Sequence, residues 1–154
     1  TDFQCPYCKK GADNIKEVMQ RHKGKVRVVL KHLPFQQNSM PAALHYEAIR
    51  LQSPDKAWSF YDRIFKEQAR VREGEKFFKE VAKAVGANMA RLDLDIKSDE
   101  VMSRIQQDMQ EAEKFGITGT PGFVVNGVPI RGAYPPDYFD FIIEELKKRG
   151  KLSI

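Results

Sequence analysis

The chain has 154 residues, 42% apolar and 31% charged, with 26 Lys+Arg against 21 Asp+Glu and a formal net charge of +5. That length suits one domain whose core needs no disulfide stapling, and the apolar run "VRVVL" at 26–30 is far too short to span a membrane. The basic residues are interspersed with acids, and the densest cluster, Lys147-Lys148-Arg149, ends a predicted helix where cations complement the dipole, so the charge predicts a solvated surface and no nucleic-acid partner.

In chain order, the opening "TDFQCPYCKK" carries both cysteines, Cys5 and Cys8. Residues 9–22 read as a helix, with Ile15, Val18 and Met19 at helical spacing among charges and Gly24 beyond its end. "KVRVVLKHL" (25–33) is β-branched and mostly apolar, the pattern of a buried strand, and Pro34 stops it. From Ser39 to Gly116 the reading is helical throughout. Ser39 is a predicted cap with Pro41 in the first turn, and Ser53-Pro54 places a cap before a first-turn proline. Lys76 to Val85 is a shorter helix ended by Gly86, 88–94 one more turn or two, and Ser98 caps a helix with Asp99 and Glu100 in its first turn. Phe123–Val125 and Val128–Arg131 flank Asn126-Gly127, a strong hairpin signal. Pro136 opens a last helix with Phe139, Ile142, Ile143 and Leu146 on one face. This order predicts an α/β frame, 1–38 and 114–154, with an all-helical block, 39–113, inserted between its halves.

Two cysteines three positions apart suit a redox couple, half a metal site or one structural disulfide. A disulfide closing so small a loop stabilises little. Cys5 falls at a predicted helix start with Pro6 in the first position, where unpaired N–H groups and the helix dipole favour a thiolate and lower a cysteine pKa below about 8.5. Cys8 lies nearly one turn later, within reach of Cys5 and deeper. Cys5 is therefore the predicted nucleophile and Cys8 the resolving thiol. Structural zinc wants four ligands. There is no third cysteine, and His22, His32 and His45 show no ligand spacing; they read as helix-surface, strand and packed positions, so no metal is implied. Gly119-Thr120-Pro121-Gly122 stands directly before the hairpin, where a proline belongs to a strand entry or a bend.

Taken together, the "TDFQCPYC" opening, "VLKHLP" and "GITGTPGFVVNGVPIRGA" resemble the DsbA-like thiol:disulfide oxidoreductases, and the resemblance spans residues 1–150. It implies a thioredoxin-like fold with an inserted helical subdomain. By resemblance, Cys5 and Cys8 are the catalytic redox-active centre, Pro6 and Tyr7 tune its poise, and Thr120-Pro121 is a cis-proline loop whose backbone pairs with an extended substrate peptide. It further implies an extracytoplasmic, periplasmic monomer, with protein thiols or disulfides as substrates, a membrane redox partner that recycles the cysteine pair, and no metal or organic cofactor. An oxidase that forms disulfides is the first expectation. The alternatives are a glutaredoxin-type glutathione-dependent reductase, since "CPYC" occurs there too, and a metal-binding or metallochaperone module on the same fold. In the family a central strand runs into the cysteine pair, whereas here only Thr1 to Gln4 precede Cys5. The expectation is an apolar segment of about 5–8 residues upstream of Thr1, lying between 26–33 and the hairpin.

Overall fold

Prolines and capping side chains set most of the helix starts in the computed structural model, which describes residues 1–152. Helix α1 (Pro6–Arg21) begins on Pro6, whose missing N–H would be unpaired at that position anyway. Helix α2 (Ser39–Gln52) is followed at once by α3 (Pro54–Lys66), where the Ser53 hydroxyl accepts the Lys56 N–H at 3.3 Å. A 3₁₀ turn (Gln68–Glu73) leads to α4 (Glu75–Ala84). Asn88 caps α5 (Met89–Asp95), and Ser98 caps α6 (Asp99–Lys114), each accepting a backbone N–H three residues on. The strands β1 (Gly122–Val125) and β2 (Val128–Arg131) form an antiparallel pair in which Phe123 faces Ile130 and Val125 faces Val128. Asn126 and Gly127 take φ of 46° and 89°, the left-handed pair that a two-residue hairpin requires. Helix α7 (Pro136–Lys148) ends the described fold.

Two sequence expectations change. Ser39 does not cap α2. Asn38 occupies that position, and the Ser39 hydroxyl donates instead to the buried Asp2 carboxylate. Lys25 still belongs to the turn after α1, and residues 26–33 run on with Val26, Val28 and Leu30 half-buried and Arg27 and Val29 exposed, the alternation of a strand, yet they form no ladder with β1. The apolar alternation dictates extension and facing, while a strand also needs a neighbouring backbone. Only its far end finds one: the Thr1 amino group donates to the Lys31 carbonyl at 2.7 Å, and the Thr1 carbonyl accepts the Leu33 N–H at 2.8 Å, the spacing of parallel pairing. The described residues are mostly helical, with a small two-stranded antiparallel sheet.

The interior has two apolar clusters. The larger gathers α2 to α6 around Phe60, Phe77, Phe78 and Ile105, and takes in Phe3, Cys5 and Cys8. The smaller joins Val18 of α1, Ile130 of β2 and Phe139 and Ile143 of α7, with Phe123 set edge-on to Phe139 at 5.0 Å. Helix α1 thus packs against both, and its cysteine-bearing end points into the helical cluster.

Candidate active site

Cys5 is the N-cap of α1, with extended backbone angles of −81° and 122°. Its N–H donates to the Asp2 carbonyl at 3.1 Å, and its carbonyl accepts the Cys8 and Lys9 N–H groups at 3.0 and 3.3 Å. That closes a turn on each side of the residue. Both cysteines are free thiols. Cys5 keeps 9% of its surface and Cys8 only 1%, so a reagent from solvent meets Cys5 first. Burial pushes the Cys8 thiol above its ordinary value, against the opposing pull of the Thr120 hydroxyl and the Asp2 N–H, which donates to the Cys8 sulfur at 3.4 Å. Cys8 therefore holds its proton at neutral pH. Pro6 and Tyr7 lie on the outer side of the first turn, Tyr7 67% exposed beside the pair.

The Gly119–Gly122 segment comes to the same place from the far end of the chain. The Thr120–Pro121 peptide bond is cis. The Cys5 thiol faces the Thr120 carbonyl at 3.7 Å, which sets the loop against the more accessible of the two sulfurs. Pro121 is buried, and its carbonyl accepts the Gly132 N–H at 3.0 Å, which ties the loop to the end of β2. Two glycines allow this approach. A Cβ on Gly11 would stand 3.3 Å from Pro121 and 3.1 Å from the Phe123 ring, and one on Gly122 would stand 2.4 Å from Ile117. Gly11→Val forces α1 away from the loop. Overpacking of this kind costs about 1–3 kcal/mol, so the melting temperature falls. A variant that melts with wild type would show that α1 does not need this close approach.

Beneath the pair, Asp2 organises the loop between the cysteines and α2. Its carboxylate accepts the Gln4 and Phe35 N–H groups, both at 2.8 Å, and the Ser39 hydroxyl. Deeper still, the fold brings His32, Glu47 and Asp108 together, with one potential ligand atom of each within 4.8 Å of the others. The three positions come from three elements, so no spacing in the sequence shows them. Each carboxylate already has cationic partners: Arg50 on Glu47, and Lys31 and Arg104 on Asp108 at 3.4 and 3.2 Å. The cluster is an ion network, and neither cysteine belongs to it.

Burial holds the His32 imidazole below the ordinary histidine value although Glu47 pulls it up, so His32 is neutral and its Nε2–H donates to Glu47 at 3.0 Å. Burial likewise depresses His45, whose Nδ1 bonds the Pro41 carbonyl at 2.7 Å. Both histidines stay neutral in the fold while those of the unfolded chain protonate below about pH 6.5, so the unfolded state binds more protons. Stability is then full above that pH and declines below it, by up to about 1.4 kcal/mol per pH unit for each histidine. Urea unfolding at pH 7.5, 6 and 5 should show a falling midpoint. A midpoint that rises on acidification would contradict the burial of both rings.

The structure thus brings Cys5, Cys8, Pro6, Tyr7, Thr120 and Pro121 to one place. It adds residues that sequence reasoning passed over, among them Asp2, Gly11 and Gln68. Only Gly11 carried a signal, a glycine inside a helical pattern.

The chain matches the DSBA-like thioredoxin domain over residues 1–144. It is 28% identical over 137 residues to a probable disulfide bond formation protein D of Bacillus anthracis, covering 82% of this chain and 62% of that protein. It is also 28% identical over 138 residues to a Na(+)/H(+) antiporter NhaA 1 of Mycolicibacterium vanbaalenii, covering 86% of this chain and 22% of the antiporter. The chain therefore spans only part of the length of each of these relatives. Among solved structures, a thioredoxin-like oxidoreductase from Silicibacter pomeroyi superposes with a TM-score of 0.87 at 26% identity, over 96% of this chain and 83% of that one. A periplasmic thioredoxin-like protein from Salmonella enterica serovar Typhimurium gives a TM-score of 0.81 at 26% identity, over 94% and 79%.

Proposed function

Because the chain belongs to the family of DSBA-like thioredoxin domains, we propose that it exchanges disulfides with protein substrates through Cys5 and Cys8, and that it acts as an oxidase. The observation that carries this reading is the approach of the Cys5 thiol to the carbonyl of Thr120, 115 residues away in the chain and next to a cis proline, with Cys8 buried nearly one turn along the same helix. In the oxidising direction a substrate thiolate attacks the Cys5 sulfur of the Cys5–Cys8 disulfide, and Cys8 leaves and takes up a proton. A second substrate thiolate then attacks the substrate sulfur of the mixed disulfide and releases Cys5. Two electrons pass from the substrate dithiol to the cysteine pair. Exposure decides which sulfur is attacked, and Cys5 has more of it.

In this reading Pro6 and Tyr7 tune the poise of the pair. The Thr120 backbone pairs with an extended substrate segment in β fashion, beside the buried ring of Pro121. Residues 1–38 and 114–154 form the thioredoxin-like domain, and 39–113 an inserted subdomain that covers the pair from the side of Phe3. The protein works outside the cytoplasm, as the periplasmic Salmonella relative does by its description, and a membrane redox partner recycles the pair. No helix among the described residues is long and apolar enough to cross a membrane.

Equilibration with glutathione tests the direction. An oxidase poise lies well above the roughly −270 mV of thioredoxin, toward the roughly −120 mV of DsbA. A potential at or below the thioredoxin value overturns the oxidase direction. Rapid catalytic turnover of glutathione mixed disulfides would instead favour a glutaredoxin-type reductase.

A further inference from the structure

Gln68 opens the 3₁₀ turn between α3 and α4, and its side chain reaches back to the cysteine loop. Its Nε2 donates to the Cys5 carbonyl at 2.8 Å and to the Phe3 carbonyl at 3.1 Å. A side-chain amide nitrogen carries two hydrogens, so both bonds form at once. The two carbonyls bracket Gln4, whose N–H is held from the Asp2 side. The Cys5 carbonyl is also the acceptor that closes the first turn of α1, and it belongs to the peptide before Pro6, which has no N–H of its own to bond. Among the described residues, Gln68 is the side chain that donates to it.

The turn that carries Gln68 is itself firmly held. Val71 is fully buried, the Asn38 side chain donates to the Val71 carbonyl at 3.2 Å, and Arg70 pairs with Glu67, Glu73 and Glu80 while lying 4.4 Å over the Phe77 ring. A fixed donor from another element therefore adds to the hold that the Cys8 and Lys9 N–H groups of α1 already have on the Cys5 carbonyl.

We propose that Gln68 is a positioning residue of the redox pair: by holding the Phe3 and Cys5 carbonyls it sets the Cys5 backbone, and so the direction in which the Cys5 sulfur faces Thr120. The inference deepens the oxidoreductase reading and rests on it. The clamp acts unequally on the two redox forms. A disulfide demands a narrow Cβ–Cβ separation and dihedral, so it fixes Cys5 whether or not the clamp is present. The dithiol has no such restraint and gains freedom when the clamp is removed. Loss of Gln68 therefore favours the dithiol and makes the pair more oxidising.

The reaction to measure is balanced: the Cys5–Cys8 dithiol plus one glutathione disulfide gives the Cys5–Cys8 disulfide plus two glutathione thiols, with two electrons passing to glutathione. Its equilibrium constant is read by acid quenching and thiol alkylation across glutathione redox buffers. The proteins compared are wild type, Gln68→Leu, Gln68→Glu and Arg72→Ala, the last an exposed position on the same turn. Both Gln68 variants remove the donor, and Gln68→Glu preserves the side-chain length should Gln68→Leu fold poorly. The expected result is a constant about fivefold lower in the Gln68 variants, the scale of part of one residue's backbone freedom, which only the dithiol regains, with Arg72→Ala within about twofold of wild type. A purely structural role would lower the melting temperatures of both redox forms alike and leave the constant in place, which would overturn the proposal. So would folded Gln68 variants whose constants match wild type. A wild-type pair that forms no disulfide with glutathione would instead bring down the oxidoreductase reading, and the clamp with it.

Discussion

Cys8→Ser will accumulate as a mixed disulfide with a disulfide-bearing protein substrate, bonded through Cys5, while Cys5→Ser will accumulate none. The difference follows from burial. Cys5 is the sulfur with surface to offer, whereas Cys8 lies beneath it with its thiol pushed toward the protonated form. In Cys8→Ser the Cys5 thiolate attacks the substrate disulfide, one substrate sulfur joins Cys5 and the other leaves. No internal thiol remains to resolve the adduct. In Cys5→Ser the remaining thiol is out of reach. Catalysed exchange falls to the background rate in both variants, so the adduct tells them apart. Non-reducing gels and intact mass on reaction with a disulfide-bonded protein give the answer. Adducts through Cys8 in the Cys5→Ser protein would reverse the roles.

Phe3→Ala will cost about 3–5 kcal/mol, the range for emptying a buried aromatic site. Against a total of roughly 5–15 kcal/mol, that is a large share of the stability of the fold. Phe3 is 1% exposed and meets five rings, His32, Tyr46, Phe60, Tyr61 and Phe65, at centroid distances of 5.3 to 6.2 Å. All five belong to the 26–33 segment, α2 or α3, so the ring cannot be replaced by a small shift of one neighbour. Its backbone is one of the two carbonyls that Gln68 holds, and Cys5 is two residues away. Urea unfolding should show the loss, and alkylation of Cys8 should quicken as its cover loosens. A loss below about 1 kcal/mol would mean that the helical cluster closes over the gap, and that Phe3 does not anchor the cysteine loop.

Much of this architecture can be read from local chemistry. Ser53-Pro54, Ser98 and Asn126-Gly127 act within a few residues of themselves, and each does what its neighbours dictate. Ser39 has an equally good local pattern, but its hydroxyl is taken by Asp2, 37 residues away, and no capping rule contains that partner. The 25–33 segment shows the same limit for strands. Alternation sets which side chains turn inward, and the ladder depends on which backbone lies alongside. At the site, the cysteine spacing and the proline ahead of the hairpin mark Cys5, Cys8 and Pro121. Their supports, Asp2 and Gln68, are ordinary polar residues whose meaning lies in which carbonyl or N–H the fold brings to them. His32, Glu47 and Asp108 likewise become a cluster only when three elements pack.

If the Cys5–Cys8 pair carries disulfides to and from protein thiols, it must hand one over whole. Stoichiometric transfer tests it most directly: the oxidised protein is mixed with a reduced, unfolded polypeptide bearing two cysteines, and both disulfides are counted by mass after acid quench. One disulfide is expected to form in the polypeptide for each Cys5–Cys8 disulfide lost, through an adduct on Cys5. A Cys5–Cys8 disulfide that stays intact before an excess of free substrate thiols would contradict it.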